Sequence, residues 1–160
     1  MHDSIYAAYG SNLNFTQMAM RCPDARVLTK ARLDGYELVF RGNPHGAVAT
    51  IEPREGFSVP ILLWTISKKD EQALDRYEGY PSFYGKQSMT FQAEEQDVSA
   101  MVYVMTPGHP AGAPSRFYLN TIMEGYHDCG FDPAPLKLAM RRSHELMEQE
   151  AAHGHQFTLY

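Results

Sequence analysis

The chain has 160 residues, a net charge of −5 and ordinary apolar and charged fractions of 44% and 21%. This length favours one domain with its own core, and no Lys/Arg run exceeds two residues, which argues against a nucleic-acid surface. No stretch approaches the ~18 apolar residues of a membrane helix, no basic-then-apolar leader is visible, and two cysteines, Cys22 and Cys129, fit free thiols in a reducing, cytoplasmic compartment.

Residues 4–9 read as a buried strand, followed by the turn residues Tyr9-Gly10-Ser11-Asn12. A short helix over about 14–21 follows; Asn12 and Asn14 are candidate caps, and Phe15, Met18 and Ala19 stand at helical spacing. Ala25–Leu33 and Tyr36–Phe40 read as strands on either side of an Asp34-Gly35 turn, and Ala47–Ile51 as a further strand. Val59–Ile66 is a near-continuous apolar strand whose Pro60 places its early part at an edge or bulge. Ser67 and Asp70 form a capping-box pattern for a helix to about Glu78, with Gly79 as its terminator. Tyr84–Phe91 and Val98–Met105 read as a strand pair joined by an acidic stretch.

Pro107–Pro114 is a loop, and the remainder is helical. Ser115 caps a helix that carries Phe117, Tyr118, Ile122, Met123 and Tyr126 and stops near Gly130. Asp132-Pro133 opens another, which turns polar after Arg141. Residues 1–150 read as one domain and 151–160 as a C-terminal tail. Strands outnumber helices, with hairpin signals between them, which implies a curved or closed sheet with helices packed outside.

Two segments carry the chemistry. The Tyr9–Leu13 turn, entering a helix N-terminus, offers backbone N–H groups and the positive end of a helix dipole to a carboxylate or phosphate. Glu78 ends the second helix, where the dipole disfavours negative charge; Asp75 adds like charge, and Leu74, Tyr77, Tyr80, Phe83 and Tyr84 add desolvation. All three raise a carboxylate pKa, as a general base working near neutral pH requires. His127 and His144 fall on helices without a matching ligand set, and His153 and His155 fall in the terminal stretch, so no metal site is expected. His127 and Cys129, two residues apart on a helix, point to different sides and make no nucleophilic pair. Nucleophile-elbow, P-loop and dinucleotide fingerprints are absent.

Five motifs in order resemble those of the γ-glutamylcyclotransferase family, over about residues 5–142. They are the strand and Tyr-Gly-Ser-Asn turn at Tyr6–Leu13; Arg21, Pro23 and Ala31–Phe40; Gly46–Ile51; Leu74-Asp75-Arg76-Tyr77-Glu78-Gly79; and Pro114-Ser115-Arg116-Phe117-Tyr118. One departure stands after Val59, where Pro60-Ile61 replaces an aromatic and a glycine found in some members.

The resemblance implies an α+β fold, a small mixed β-barrel with outer helices, and no metal or organic cofactor. It also implies that the α-amine of a γ-glutamyl group attacks its own γ-carbonyl, releasing 5-oxoproline and an amine or amino acid. In that reading Glu78 is the catalytic acid/base. Tyr9, Gly10, Ser11, Asn12, Leu13 and Tyr118 bind the small γ-glutamyl substrate. Two alternatives stand beside it: a non-catalytic protein that binds γ-glutamyl metabolites, and a pathway enzyme that removes a γ-glutamyl protecting group from a larger amine.

Overall fold

The computed structural model describes residues 3–158, with 154–158 as backbone alone. Five strands close into a barrel: β1 (Ser4–Ala8), β2 (Arg26–Arg41), β3 (Val48–Ile66), β4 (Tyr84–Ala93) and β5 (Asp97–Met105), in the order β1-β3-β2-β4-β5. β1 is the closing element. It runs antiparallel to β3, with Tyr6 opposite Trp64, and parallel to β5, with Tyr6 opposite Met101, so the sheet is mixed and its ends meet. Four helices pack around it: α1 (Phe15–Arg21), α2 (Lys68–Glu78), α3 (Arg116–Cys129) and α4 (Ala134–Thr158). The α+β barrel expected from the resemblance is the observed architecture.

The sheet differs from the expected strands at one point. Asp34-Gly35 does not reverse the chain; it is an irregularity inside a continuous β2, with Gly35 at φ +81° and the register to β3 shifted between Asp34 and Tyr36. Asp-Gly suits a left-handed residue wherever one is required, and a bulge and a hairpin turn require it equally. The reversal comes later, between β2 and β3, so Ala47–Ile51 and Val59–Ile66 belong to one long strand. Pro60 pairs with Arg32 of β2, and the β1 ladder on the other side of β3 begins only at Leu62. The proline therefore costs β3 no hydrogen bond to β1.

The helix ends obey local chemistry. Ser67 Oγ accepts from Asp70 N–H at 3.1 Å and Asp70 Oδ2 accepts from Ser67 N–H at 3.2 Å, completing the capping box of α2. Gly79 ends that helix at φ +66°. Ser115 Oγ accepts from Tyr118 N–H at 3.1 Å at the start of α3. α3 also seats the turn after β1: a Cβ on Gly125 would lie 2.7 Å from Leu13 C and Asn14 N, so only glycine permits this approach. Asn14 Nδ2 donates to Thr121 C=O at 3.0 Å across the same contact.

α4 continues through the segment expected to be a tail, as far as Thr158; residues 159 and 160 lie outside the described residues. Its far end is anchored: Glu150 accepts from Ala111 N–H at 3.0 Å and from Arg41 at 3.1 Å. Closer to its start, Arg142 donates at 2.9 Å to the buried Glu37 of β2, which also pairs with Arg54 of β3 at 3.1 Å. No helix among the described residues is long and apolar enough to cross a membrane.

Candidate active site

One end of the barrel opens a cavity of about 250 Å³ where β1, the following turn, α2 and α3 meet. The route from β1 into α1 is a single 3-10 turn, Ser11–Leu13, closed by hydrogen bonds from Leu13 N–H to Gly10 C=O and from Asn14 N–H to Ser11 C=O, each 3.1 Å. The N–H groups of Ser11 and Asn12 precede these bonds and have no backbone acceptor among the described residues. Asn14, not Asn12, caps α1, accepting from Gln17 N–H at 3.0 Å. Asn12 instead ties the turn to its neighbours, its Nδ2 donating to Tyr6 OH at 2.9 Å and its Oδ1 accepting from Arg21.

Six of the seven residues singled out from sequence line the cavity: Tyr9, Gly10, Ser11, Asn12, Glu78 and Tyr118. Leu13 does not. Its side chain is fully buried and meets α3 at Gly125, and its carbonyl accepts from the Cys129 thiol at 3.6 Å. Each residue of a 3-10 turn is rotated by about 120° from the one before, so Leu13 points to a different side from Ser11 and Asn12. Gly10 makes room: a Cβ there would stand 3.3 Å from Ala49 Cβ and 3.5 Å from the Tyr118 hydroxyl.

Glu78 is the ionisable carboxyl of the cavity wall. Burial pushes it up to about 7, against a weaker opposing pull from the Arg21 guanidinium, and no hydrogen bond to a described protein group steadies its charged form. Of the three causes read from the sequence, desolvation is the largest and Asp75 does not enter, while Glu78 does stand at the C-terminal end of α2. Asp75 is turned elsewhere: it accepts from Tyr103 OH at 2.6 Å and pairs with Lys86 Nζ at 2.8 Å.

Phenols surround the carboxyl. Tyr9 donates to Tyr103 C=O at 2.7 Å, Tyr84 donates to Ala49 C=O at 2.5 Å, and Tyr118 OH accepts from Ala49 N–H at 3.0 Å. The Tyr118 hydroxyl proton is thereby left free to donate. Burial, reinforced by the charge of Glu78, raises the pKa of all of these phenols and of Tyr6, so they are neutral donors at any working pH. Tyr77 OH and Ser11 Oγ share a hydrogen bond of 2.9 Å, which joins α2 to the turn.

Sequence reasoning passed over Tyr6 and Tyr103 as lining residues. Each is a single residue on a strand, and only barrel closure brings them together, rings 5.9 Å apart edge to face. No three His, Cys, Asp or Glu converge among the described residues, and the side chain of His155 lies outside them. Cys129 is buried, with its thiol pushed up to about 11, away from the thiolate range a nucleophile needs.

Fold and site define a class: a closed five-stranded barrel in which one desolvated carboxyl faces a polar turn across a cavity of about 250 Å³. The particular family follows from comparison with known proteins. The family model described as gamma-glutamyl cyclotransferase, AIG2-like, matches residues 6–124. The gamma-glutamylcyclotransferase of Bos taurus is 32% identical over 136 residues, covering 79% of this chain and 71% of the relative. That of Homo sapiens is 29% identical over 135 residues, with the same coverage. A solved gamma-glutamyl cyclotransferase superposes with a TM-score of 0.74 at 26% identity, over 90% of this chain and 86% of the other. The chain belongs to the gamma-glutamyl cyclotransferase, AIG2-like family of enzymes.

Proposed function

We propose that this chain cyclises a small γ-glutamyl compound, releasing 5-oxoproline and a free amine or amino acid, with Glu78 moving the protons. The observation that carries this reading is the Glu78 carboxyl: desolvated, held near 7, and placed in one cavity with the Ser11–Leu13 turn. A carboxyl in that range is populated in both protonation states near neutral pH, which suits a group that must first accept a proton and then return it.

The substrate's α-carboxylate rests on the N–H groups of Ser11 and Asn12, with the Ser11 and Tyr118 hydroxyls beside it. This folds the γ-glutamyl chain back on itself, so the amine and the γ-carbonyl react within one molecule and proximity supplies much of the rate. Glu78 removes a proton from the α-ammonium, and the freed amine attacks the γ-carbonyl carbon. Charge builds on the carbonyl oxygen, where N–H groups of the Tyr9–Leu13 turn help hold it. The intermediate collapses as the C–N bond to the leaving amine breaks, Glu78 returns its proton to that nitrogen, and the ring nitrogen gives up its second proton, so that the lactam is neutral and the amine leaves as an ammonium. These steps are proton and acyl transfers that side chains can supply, so no metal or organic cofactor is invoked. The two buried, free cysteines suit a reducing, cytoplasmic setting.

The test is a panel of γ-glutamyl amines and γ-glutamyl amino acids, with 5-oxoproline measured directly. Release from at least one, abolished by Glu78→Gln and retained after dialysis against EDTA, is the expected result. Saturable binding without product from any compound would overturn the catalytic reading in favour of a binding protein.

A further inference from the structure

Arg21 is not in the cavity wall, yet it touches the groups that shape it. It is the last residue of α1, and its guanidinium engages on three sides. One nitrogen donates to Asn12 Oδ1 in the turn, and another donates to Gln17 Oε1 at 3.0 Å, one helical revolution back. Its face lies on the Tyr77 ring of α2, with Cζ 3.4 Å from the ring centroid. Tyr77 precedes Glu78 and shares its hydroxyl with Ser11. Asn12, gripped by Arg21, holds Tyr6 OH in turn. The chain of contacts is therefore closed: turn, Arg21, Tyr77, and back to the turn through Ser11.

We propose that Arg21 is a positioning residue, clamping the Ser11–Leu13 turn to the Tyr77 end of α2 so that Glu78 is held at a set distance from the turn. The need for such a clamp follows from the topology. The turn and α2 come from separate parts of the chain, and the turn's other anchors lie away from α2: on α3 at Gly125, and on the barrel, where Trp64 Nε1 donates to Asn12 C=O at 3.2 Å. The Ser11–Tyr77 hydroxyl pair is one neutral hydrogen bond, weaker than a charge-assisted one. A guanidinium adds a planar fork with fixed donor directions and a face that stacks on an aromatic ring. It can hold an amide oxygen in its plane and a phenol ring against its face at once, which a lysine ammonium cannot do. With its donors turned to Asn12 and Gln17, Arg21 acts on the substrate only through the groups it holds.

Arg21 also contributes charge, which the experiment must separate from placement. Arg21 of α1 acts on the Glu78 carboxyl, and Glu78 in turn acts on the phenols that face it: Tyr6 of β1, Tyr9 before the turn, Tyr84 of β4 and Tyr118 of α3. The phenols remain neutral, so Arg21 is the cation among them. Arg21→Lys keeps the charge and loses the fork and the stack; Arg21→Gln loses both.

The turnover arm of the test rests on the cyclotransferase reading; the geometric arm does not. Arg21→Lys, Arg21→Gln and Tyr77→Leu are compared with the full wild-type chain for 5-oxoproline release, and for NMR shifts of the Ser11 and Asn12 amides and of the ¹³C-labelled Glu78 carboxyl, assigned with Glu78→Gln. A misplacement of the order of an ångström costs about 10²-fold; a loss of that size in kcat/KM, with kcat lowered and KM raised because the substrate-binding turn moves, is expected for Arg21→Lys and Tyr77→Leu. The Glu78 titration should stay near wild type in Arg21→Lys and move upward in Arg21→Gln, and the turn amides should shift in both. Wild-type kcat/KM together with unshifted turn amides in folded Arg21→Lys overturns the proposal. If wild type itself releases no 5-oxoproline, the functional reading fails, and the turn amides alone decide: shifted in Arg21→Lys they support the clamp, unshifted they overturn it. If Arg21→Gln does not fold, Arg21→Lys and Tyr77→Leu carry the same two outcomes.

Discussion

A carboxyl held near 7 by burial makes two demands on its residue. It must be lost from catalysis when its proton chemistry is removed, and it must show itself in the pH dependence. Glu78→Gln keeps the shape and cannot accept a proton, so 5-oxoproline formation should fall by about 10²–10⁴-fold while substrate binding survives. In wild type, kcat/KM reports the free enzyme and should rise with pH along an acid limb near 7. A limb in the ordinary carboxylate range would show that water reaches the group freely. Gly10 is the other residue with a sharp expectation. Valine there would crowd Ala49 and the Tyr118 hydroxyl, so Gly10→Val should raise KM steeply, alongside a stability loss of about 1–3 kcal/mol from overpacking. Equal KM would make this turn a connector only.

At the scale of elements, the site depends on how closely α3 approaches the turn. Gly125→Ala forces a methyl group against Leu13 and Asn14 backbone atoms, and overpacking of this kind costs about 1–3 kcal/mol. Ser67→Ala removes the cap of α2 and costs a comparable amount, about 1 kcal/mol. The two variants should separate in kinetics. Gly125→Ala displaces the substrate-binding turn and should raise KM, whereas Ser67→Ala acts at the end of α2 remote from Glu78 and should leave KM near wild type. Similar KM values in both would mean that the turn does not feel α3. The element boundaries themselves were legible from local chemistry: Ser67, Asp70 and Gly79 bracket α2, and Ser115 and Gly130 bracket α3. The bulge at Gly35 was not, because a left-handed glycine serves a bulge and a reversal alike.

For the whole molecule, Glu78 links stability to pH. Its folded pKa of about 7 exceeds the unfolded value of about 4.3, so the folded state binds the proton more tightly. The stabilisation this confers is complete below about 4.3 and is lost as pH rises through about 7. Glu78→Gln should therefore melt above wild type at neutral pH, by a margin that shrinks on acidification. A variant less stable than wild type at neutral pH would instead mark Glu78 as a stabilising ion-pair partner. Glu37 tests how α4 joins the barrel. Its carboxyl meets Arg142 of α4 and Arg54 of β3, whose side chains are 23% and 37% exposed. Glu37→Ala should lower the melting temperature by less than the about 3–5 kcal/mol of a fully buried pair would imply, while keeping one cooperative transition.

Local signals decided much by themselves, because caps, terminators and turn residues act within a few positions of one another. They marked β1, the turn at Gly10–Asn12, and both ends of α2 with Glu78 at its close. The ordered motifs pointed to the barrel and to Tyr118, and all of these stand where they were expected. Register and closure decided the rest, since they join residues that no local pattern connects. Pairing Tyr6 with Trp64 on one side and Met101 on the other brought Tyr6 and Tyr103 to one cavity. The packing of α3 turned Leu13 away from that cavity, and Lys86 with Tyr103 drew Asp75 away from Glu78. Arg21 found Asn12 and Tyr77 only once the turn and α2 lay side by side. Burial of Glu78, and with it a carboxyl near 7, is a property of that closed surface, because desolvation depends on every element that excludes water from the group.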